Sequence, residues 1–318
     1  MSKIRLGIAG ANGAFGIKHL EALRAISDVD ITAVMATTME KATGVADKFD
    51  VPLRFDDYDT FIASDRVDAI ILATPTQLHA EQGIKAMAAG KHVLVEIPMA
   101  DNLADSERLV AKQAETGLVG MVGHVRRFNP SHQWVHNEIS KGALSIQQMD
   151  VQTYFFRRTN MNAKGEPRSW TDHLLWHHAC HTVDLFCYQA GEPVIEVQAV
   201  QGPKHPDLGI AMDMAILLKT ESGKLCTLSL SFNNDGPLGS FFRYICDNGT
   251  YLARYDDLFD GKENQIDVSS VDVSMNGIEL IDREFIRAIR TGDTPNSSIA
   301  DCLPAMRILH EVEHKMSR

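Results

Sequence analysis

Lys3-Ile4-Arg5-Leu6-Gly7-Ile8-Ala9-Gly10-Ala11-Asn12-Gly13-Ala14-Phe15-Gly16 decides the fold. Residues 3–9 form a short, mostly apolar strand. Gly10, Gly13 and Gly16 then recur at three-residue spacing, and a helical stretch opens at about 14 and runs to about 26. Asn12-Gly13 alone is an ordinary turn signal. Glycines at this spacing directly after a first strand are more specific, because without Cβ atoms the backbone N–H groups and the helix N-terminus can approach a pyrophosphate. Further along, strand 31–35, helix 39–48, strand 69–73, helix 77–89, strand 92–95, helix 103–116 and strand 118–122 follow in turn. This alternation predicts a doubly wound parallel sheet of the Rossmann type, in an α/β protein. We expect a dinucleotide-binding domain over 1–123, with Gly10, Asn12, Gly13, Ala14 and Phe15 against the cofactor.

The end of the second strand bears on which dinucleotide. An NAD-selective site usually places an acid there for the ribose 2′-hydroxyl. Here the run is Ala36-Thr37-Thr38-Met39-Glu40-Lys41, with two hydroxyls and a following lysine that can donate to a 2′-phosphate. NADP is therefore expected ahead of NAD. Thr37 and Thr38 would also serve as caps of the next helix, and no arginine in this run fixes the phosphate.

Bulk properties frame the rest. The 318 residues suffice for two domains, and 44% hydrophobic with 23% charged content is ordinary for a globular protein. No apolar run approaches the roughly 20 residues of a membrane span. The chain enters a strand directly, without signal-peptide architecture. Five cysteines, odd in number and without a C-x-x-C pair, read as reduced thiols in a cytoplasmic protein. A net charge of −11 argues against nucleic acid or an anionic membrane as partner, and obliges any anionic ligand to find a local basic pocket.

After Gly123 the alternation stops. Strand-like segments 146–156, 194–200, 212–219, 225–232, 241–247 and 251–253, separated by turns such as Glu221-Ser222-Gly223 and Asp247-Asn248-Gly249, predict an open, mostly antiparallel sheet. A helix at about 172–190 interrupts them, and helices at about 278–290 and 301–315 close the chain. An α+β domain over 124–318 is expected to bind substrate and support oligomerisation, with its last helix able to pack back on the first domain. A cleft between the two would let substrate meet a nicotinamide.

The interrupting helix holds four of the 13 histidines within nine residues. His173, His177 and His181 follow one another at i, i+4 spacing, with Asp184 one turn further on. Imidazoles along one face with a carboxylate behind them can pass a proton near neutral pH. One imidazole of this row is the expected general base. His177 would orient the substrate or relay the proton, and Asp184 would hold the imidazole tautomer. Zinc on the three histidines is the competing reading, but it lacks a His-Glu-x-x-His pattern and leaves the glycine turn unexplained, so no metal is expected. A non-enzymatic NADP sensor would not need a histidine row.

Three landmarks add a resemblance. Thr74-Pro75-Thr76-x-x-His79, then Ala89-Gly90-Lys91-His92-Val93-Leu94-Val95-Glu96-Ile97-Pro98, and Gly123-His124-Val125-Arg126-Arg127-Phe128-Asn129-Pro130 resemble the glucose–fructose oxidoreductase/inositol dehydrogenase (Gfo/Idh/MocA) family. His177-x-x-x-His181-x-x-Asp184 falls where members carry Asp-x-x-x-His-x-x-Asp. The resemblance covers residues 4 to about 190. It implies that Thr74, Pro75 and His79 line the cofactor, that Glu96 meets the nicotinamide ribose, and that His181 is the catalytic histidine. The family's Glu-Lys-Pro lysine is Ile97 here, which puts ordinary sugar or cyclitol oxidation in doubt. Residues 162–178 and 231–239 are similar to members serving protocatechuate 4,5-cleavage in bacterial aromatic catabolism. That likeness implies NADP-linked oxidation of a cyclic hemiacetal bearing two carboxylates. A hemiacetal hydroxyl is more acidic than a plain alcohol, so a histidine alone can serve as base.

Two carboxylates on the substrate call for guanidinium partners. Arg127, after a strand's C-terminal end, and Arg168, before the histidine helix, are the choices. Arg126, Arg157, Arg158 and Arg243 read equally well as solvated charges or interface contacts. His124, His173 and Tyr154 complete the expected substrate side, although half-buried strand aromatics such as Tyr154 are usually core. Trp170 and Trp176 read as packing residues, and His178 as structural. A sheet with an exposed face suggests a homodimer.

Overall fold

The computed structural model describes residues 2–161, 165, 167 and 171–316. Contacts divide the chain into two units, Met1–Val125 with Ser274–Leu303, and Arg126–Val273 with Pro304–Arg318.

The first unit runs β1 (Ile4–Ala9), α1 (Ala14–Leu23), β2 (Val29–Met35), α2 (Met39–Phe49), β3 (Leu53–Phe55), α3 (Tyr58–Ala63), β4 (Ala69–Leu72), α4 (His79–Ala88), β5 (His92–Val95), α5 (Leu103–Thr116) and β6 (Gly120–Val122). Its six strands lie in the order β3-β2-β1-β4-β5-β6, every pair parallel. The strands are apolar without alternation because helices cover both faces; all four residues of β4 are buried. The order reverses between β1 and β4, and ligands bind beyond the strand ends at such a reversal. The short β3 and α3 were not expected, since three and six residues give no readable period.

The second unit contains α6 (Pro130–Ser140), β7 (Ile146–Tyr154), α7 (Cys180–Ala190), β8 (Val194–Gln201), β9 (Asp213–Thr220), β10 (Leu225–Ser231), β11 (Gly239–Cys246), β12 (Gly249–Arg254) and β13 (Asp257–Asp260). Its sheet is ordered β13-β12-β11-β7-β10-β9-β8 and is antiparallel except where β7 meets β10. Burial alternates with period two: Met149, Val151 and Thr153 of β7 are buried, whereas Gln148, Asp150, Gln152 and Tyr154 are partly or fully exposed. One face therefore carries the helix layer and the other is open. The helix α6, started by Pro130 in its first turn, and the four-residue β13 are additions to the expected elements.

The chain returns to the first unit with α8 (Glu279–Thr291), which packs on α1. It then closes with α9 (Ile299–Met316), of which 299–303 count with the first unit and the rest with the second. No helix among the described residues is long and apolar enough to cross a membrane.

Candidate active site

The glycine turn of the first unit is built as a phosphate cradle. Gly10 takes φ 76°, and a Cβ there would lie 2.6 Å from the Ala73 carbonyl carbon. A Cβ on Gly16 would lie 2.5 Å from the Gly10 oxygen, so α1 can begin this close to β1 only with glycine there. Gly13 N–H donates to the Gly10 carbonyl (2.9 Å), and Gly13 is the α1 N-cap with no side-chain cap. Amides at the opening of that helix are thus left to an external acceptor, which fits a dinucleotide pyrophosphate. Asn12 and Ala14 flank the cradle, and Phe15 is 52% exposed beside it. Thr38 caps α2 by accepting from Lys41 N–H, while the Lys41 ammonium reaches Thr37 Oγ1 at 3.4 Å. The capping role and the cationic neighbour coexist at this strand end.

Three family-matched residues take up structural contacts at the neighbouring strand ends. Thr74 Oγ1 donates to Gln82 Oε1 (2.6 Å), and Pro75 leads into a single 3₁₀ turn. His79 is buried, with Nδ1 2.8 Å from the Pro98 carbonyl and Nε2 2.8 Å from the Thr74 carbonyl. Both its ring nitrogens serve loop backbone, so His79 ties two cofactor-side loops together instead of offering a nitrogen to the cofactor. Glu96 follows β5 and packs over Gly123, where a Cβ would come within 3.3 Å of its carboxylate.

Sequence reasoning missed the partner of Glu96. His19 of α1, fully buried, places Nε2 3.0 Å from Glu96 Oε1 and Nδ1 2.7 Å from Asp282 Oδ1 on α8. Burial alone would push His19 down. The charge and hydrogen bond of Asp282, followed by those of Glu96, outweigh that and raise it to about 10. An imidazolium therefore stands between two carboxylates, and Glu96 also accepts from Ile97 N–H (3.2 Å). Gly16, His19, Leu20 and Leu23 share one buried helical face, so a histidine in an otherwise apolar row was the available signal.

The histidine segment departs from a single α-helix. Residues Leu174–Ala179 wind as a π turn before α7, with His173 outside it as N-cap. The predicted i, i+4 row is thereby broken, because a π turn closes five residues on instead of four. His173 Nδ1 accepts from Leu175 N–H (3.1 Å), and His173 N–H donates to His177 Nδ1 (3.0 Å). That bond occupies the Nδ1 lone pair of His177, so its proton resides on Nε2. Burial first, only partly opposed by Asp172, pushes His177 down to about 4. At neutral pH His177 is therefore an uncharged N–H donor. His178 pairs with Asp172 (3.1 Å) and packs against Phe155 and Phe232, each 5.1 Å between ring centroids. Asp172 also binds Arg157, and these contacts hold its carboxyl well below the usual range. Trp176 donates to Glu313 (2.9 Å) and is buried. His181 sits in the first turn of α7, partly exposed.

Asp184, three residues beyond, is buried in a two-bond pair with Arg127: Nε to Oδ2 at 2.8 Å and Nη2 to Oδ1 at 2.7 Å. The Arg127 guanidinium also lies 4.5 Å from the Tyr188 ring centroid. The structure thus joins Arg127 to Asp184, two residues that the sequence reading assigned to different tasks. Both carboxylate oxygens of Asp184 thus accept from the guanidinium. Tyr154 stands on the open sheet face with its hydroxyl 3.0 Å from Ser229 Oγ, opposite the face on which α7 packs. The period of two that makes it half-buried also takes it away from the histidine segment. His124 is buried directly after β6. Arg168 and Trp170 lie outside the described residues.

Comparison with known proteins supplies the class. The family described as "Oxidoreductase family, NAD-binding Rossmann fold" (Gfo/Idh/MocA) matches residues 4–124, and "Bacterial oxidoreductases, C-terminal" matches 130–272. The chain belongs to the Gfo/Idh/MocA family of oxidoreductases. It is 64% identical over 315 residues, 99% of each chain, to the 4-carboxy-2-hydroxymuconate-6-semialdehyde dehydrogenase of Sphingobium sp. (strain NBRC 103272 / SYK-6). It is 28% identical to an inositol 2-dehydrogenase of Rubrobacter xylanophilus, over 70% of this chain and 62% of that one. Among solved structures, a levoglucosan dehydrogenase in complex with NADH superposes with a TM-score of 0.88 at 19% identity, covering 99% of this chain and 97% of the other. At that identity the likeness bears on the fold alone.

Proposed function

We propose that this chain oxidises the cyclic hemiacetal of 4-carboxy-2-hydroxymuconate-6-semialdehyde to 2-pyrone-4,6-dicarboxylate, with NADP, in protocatechuate 4,5-cleavage catabolism. The observation that carries the proposal is the end-to-end identity with the Sphingobium dehydrogenase. The phosphate cradle and the partly exposed histidine of α7 both support it. In the reaction the hemiacetal carbon loses its hydrogen as hydride, its hydroxyl loses a proton, and the C–O bond becomes a lactone carbonyl. When bound, NADP supplies the hydride acceptor. The Gly10–Gly16 turn would hold its pyrophosphate, and Thr37, Thr38 and Lys41 would hold its 2′-phosphate. The absence of a carboxylate at Thr37 and Thr38 supports NADP over NAD.

His181 takes the hydroxyl proton as general base. His177, neutral with its proton on Nε2, donates to a substrate oxygen. The five cysteines, all unpaired, suit a reducing cytoplasm. Two copies associate through the open sheet face, where Val200 and Leu217 are 69% and 39% exposed.

The test mixes the protein with ring-cleaved protocatechuate and follows reduced nicotinamide by absorbance, beside a panel of sugars and cyclitols. Turnover on the ring-cleaved compound alone is expected; turnover on cyclitols alone would sink the proposal. His181→Ala should lower kcat by about 10²–10⁴-fold with NADP affinity unchanged, as expected for loss of a general base.

A further inference from the structure

A substrate carrying two carboxylates needs cations that the protein has not already neutralised. Four arginines lie close to the histidine-bearing end of the second unit, and three of them have partners. Arg127 is bound to Asp184 and Arg157 to Asp172. Arg158 Nη1 donates to the carbonyls of Arg157 (2.8 Å) and Phe232 (3.2 Å) and to Asn233 Oδ1 (3.1 Å). Arg126 differs. Among the described residues it makes no hydrogen bond and no ion pair, and its Nε is enclosed without an acceptor. It is held only by aromatic faces, 5.6 Å from the Phe242 centroid and 5.3 Å from that of Tyr255. Asp256 is the carboxylate that acts on it through space, and its Oδ1 already accepts from Asn129 (3.0 Å).

Stacking on aromatic rings fixes the guanidinium plane but leaves its in-plane N–H edge unsatisfied. A half-buried cation in that condition is uncompensated until an acceptor arrives. Its place in the fold is the second observation. Tyr255 packs on Gly239, which pairs with Tyr154 at the C-terminal end of β7. His178 packs on Phe155 and Phe232, the residues just after the same ends of β7 and β10. The arginine and the histidine segment thus converge on one end of one sheet.

We infer that Arg126 is the anchor for one carboxylate of the substrate, taking the place the sequence reading gave to Arg127. This rests on the proposed hemiacetal oxidation. The guanidinium edge accepts the carboxylate through two parallel N–H···O bonds, with Phe242 and Tyr255 holding its plane. It is a specificity residue: it selects a ring bearing a carboxylate over an uncharged sugar.

The test compares wild type, Arg126→Met and Arg126→Lys as full-length proteins with NADP. Isophthalate serves as a ring dicarboxylate probe and benzoate as its one-carboxylate control. Expected is at least a tenfold rise in the isophthalate Kd and in substrate KM for Arg126→Met, with kcat changed less than KM and NADP affinity unchanged. Arg126→Lys, which keeps the charge without the planar fork, should recover part of the loss. Preference for isophthalate over benzoate should fall in Arg126→Met. A KM and an isophthalate Kd within twofold of wild type in a variant that binds NADP normally would overturn the inference. Failure of the wild type to oxidise the hemiacetal would instead overturn the proposed reaction, while the isophthalate ratio would still decide Arg126.

Discussion

At the scale of single residues, the buried Glu96–His19–Asp282 row is the strongest electrostatic commitment in the first unit. His19 is fully enclosed, and its charge exists because two carboxylates outweigh its desolvation. A histidine raised from 6.5 to about 10 stabilises the fold fully below pH 6.5, and that contribution is lost as pH climbs toward 10. Chemical denaturation across pH 6.5–10 should show this loss in wild type and a flatter dependence in His19→Gln. Asp282→Ala, which removes one partner of a buried pair, should cost about 3–5 kcal/mol. An unfolding free energy within about 0.5 kcal/mol of wild type, the range of ordinary surface substitutions, would contradict the pairing.

At the scale of elements, the start of α1 is set by atomic clearance. Gly16→Ala puts a methyl against the Gly10 carbonyl oxygen and, at 2.7 Å, against the Ala11 Cα, both of them backbone atoms that cannot swing aside. The helix must retreat from the turn, and NADP affinity should fall by at least tenfold while the six-stranded sheet persists. Titration of intrinsic fluorescence, with circular dichroism as the control for folding, reads both effects. This part of the site was legible in the sequence, because the glycines carry the geometry themselves. The histidine segment was only half legible. A π turn has no composition signature, so the facing row assumed from i, i+4 spacing did not form. The pairing of Arg127 with Asp184, 57 positions apart, was invisible for another reason: no local period links the single 3₁₀ turn Val125–Phe128 to α7. The face that Tyr154 joins was not legible, because strand parity decides it and the sequence does not say which face the helices cover.

At the scale of the whole molecule, the net charge of −11 leaves binding of a doubly anionic substrate to a few placed guanidinium groups. The proposed dimer gives the open sheet face a partner. Leu217→Lys, a charge introduced where two copies would meet, should shift sedimentation toward the monomer without altering NADP affinity. Unchanged sedimentation would place the contact elsewhere. The path of the chain through its two units carries a practical consequence as well. Ile4–Val122 supplies every strand of the nucleotide sheet, yet the acid that secures His19 arrives only with α8, more than 150 residues later. A fragment ending at Val125 would expose the inner side of α1 and strand a charged imidazole with half its counter-ions. The nucleotide half is therefore not an excisable module: grafting or expressing it alone requires splicing residues 274–303 back onto it.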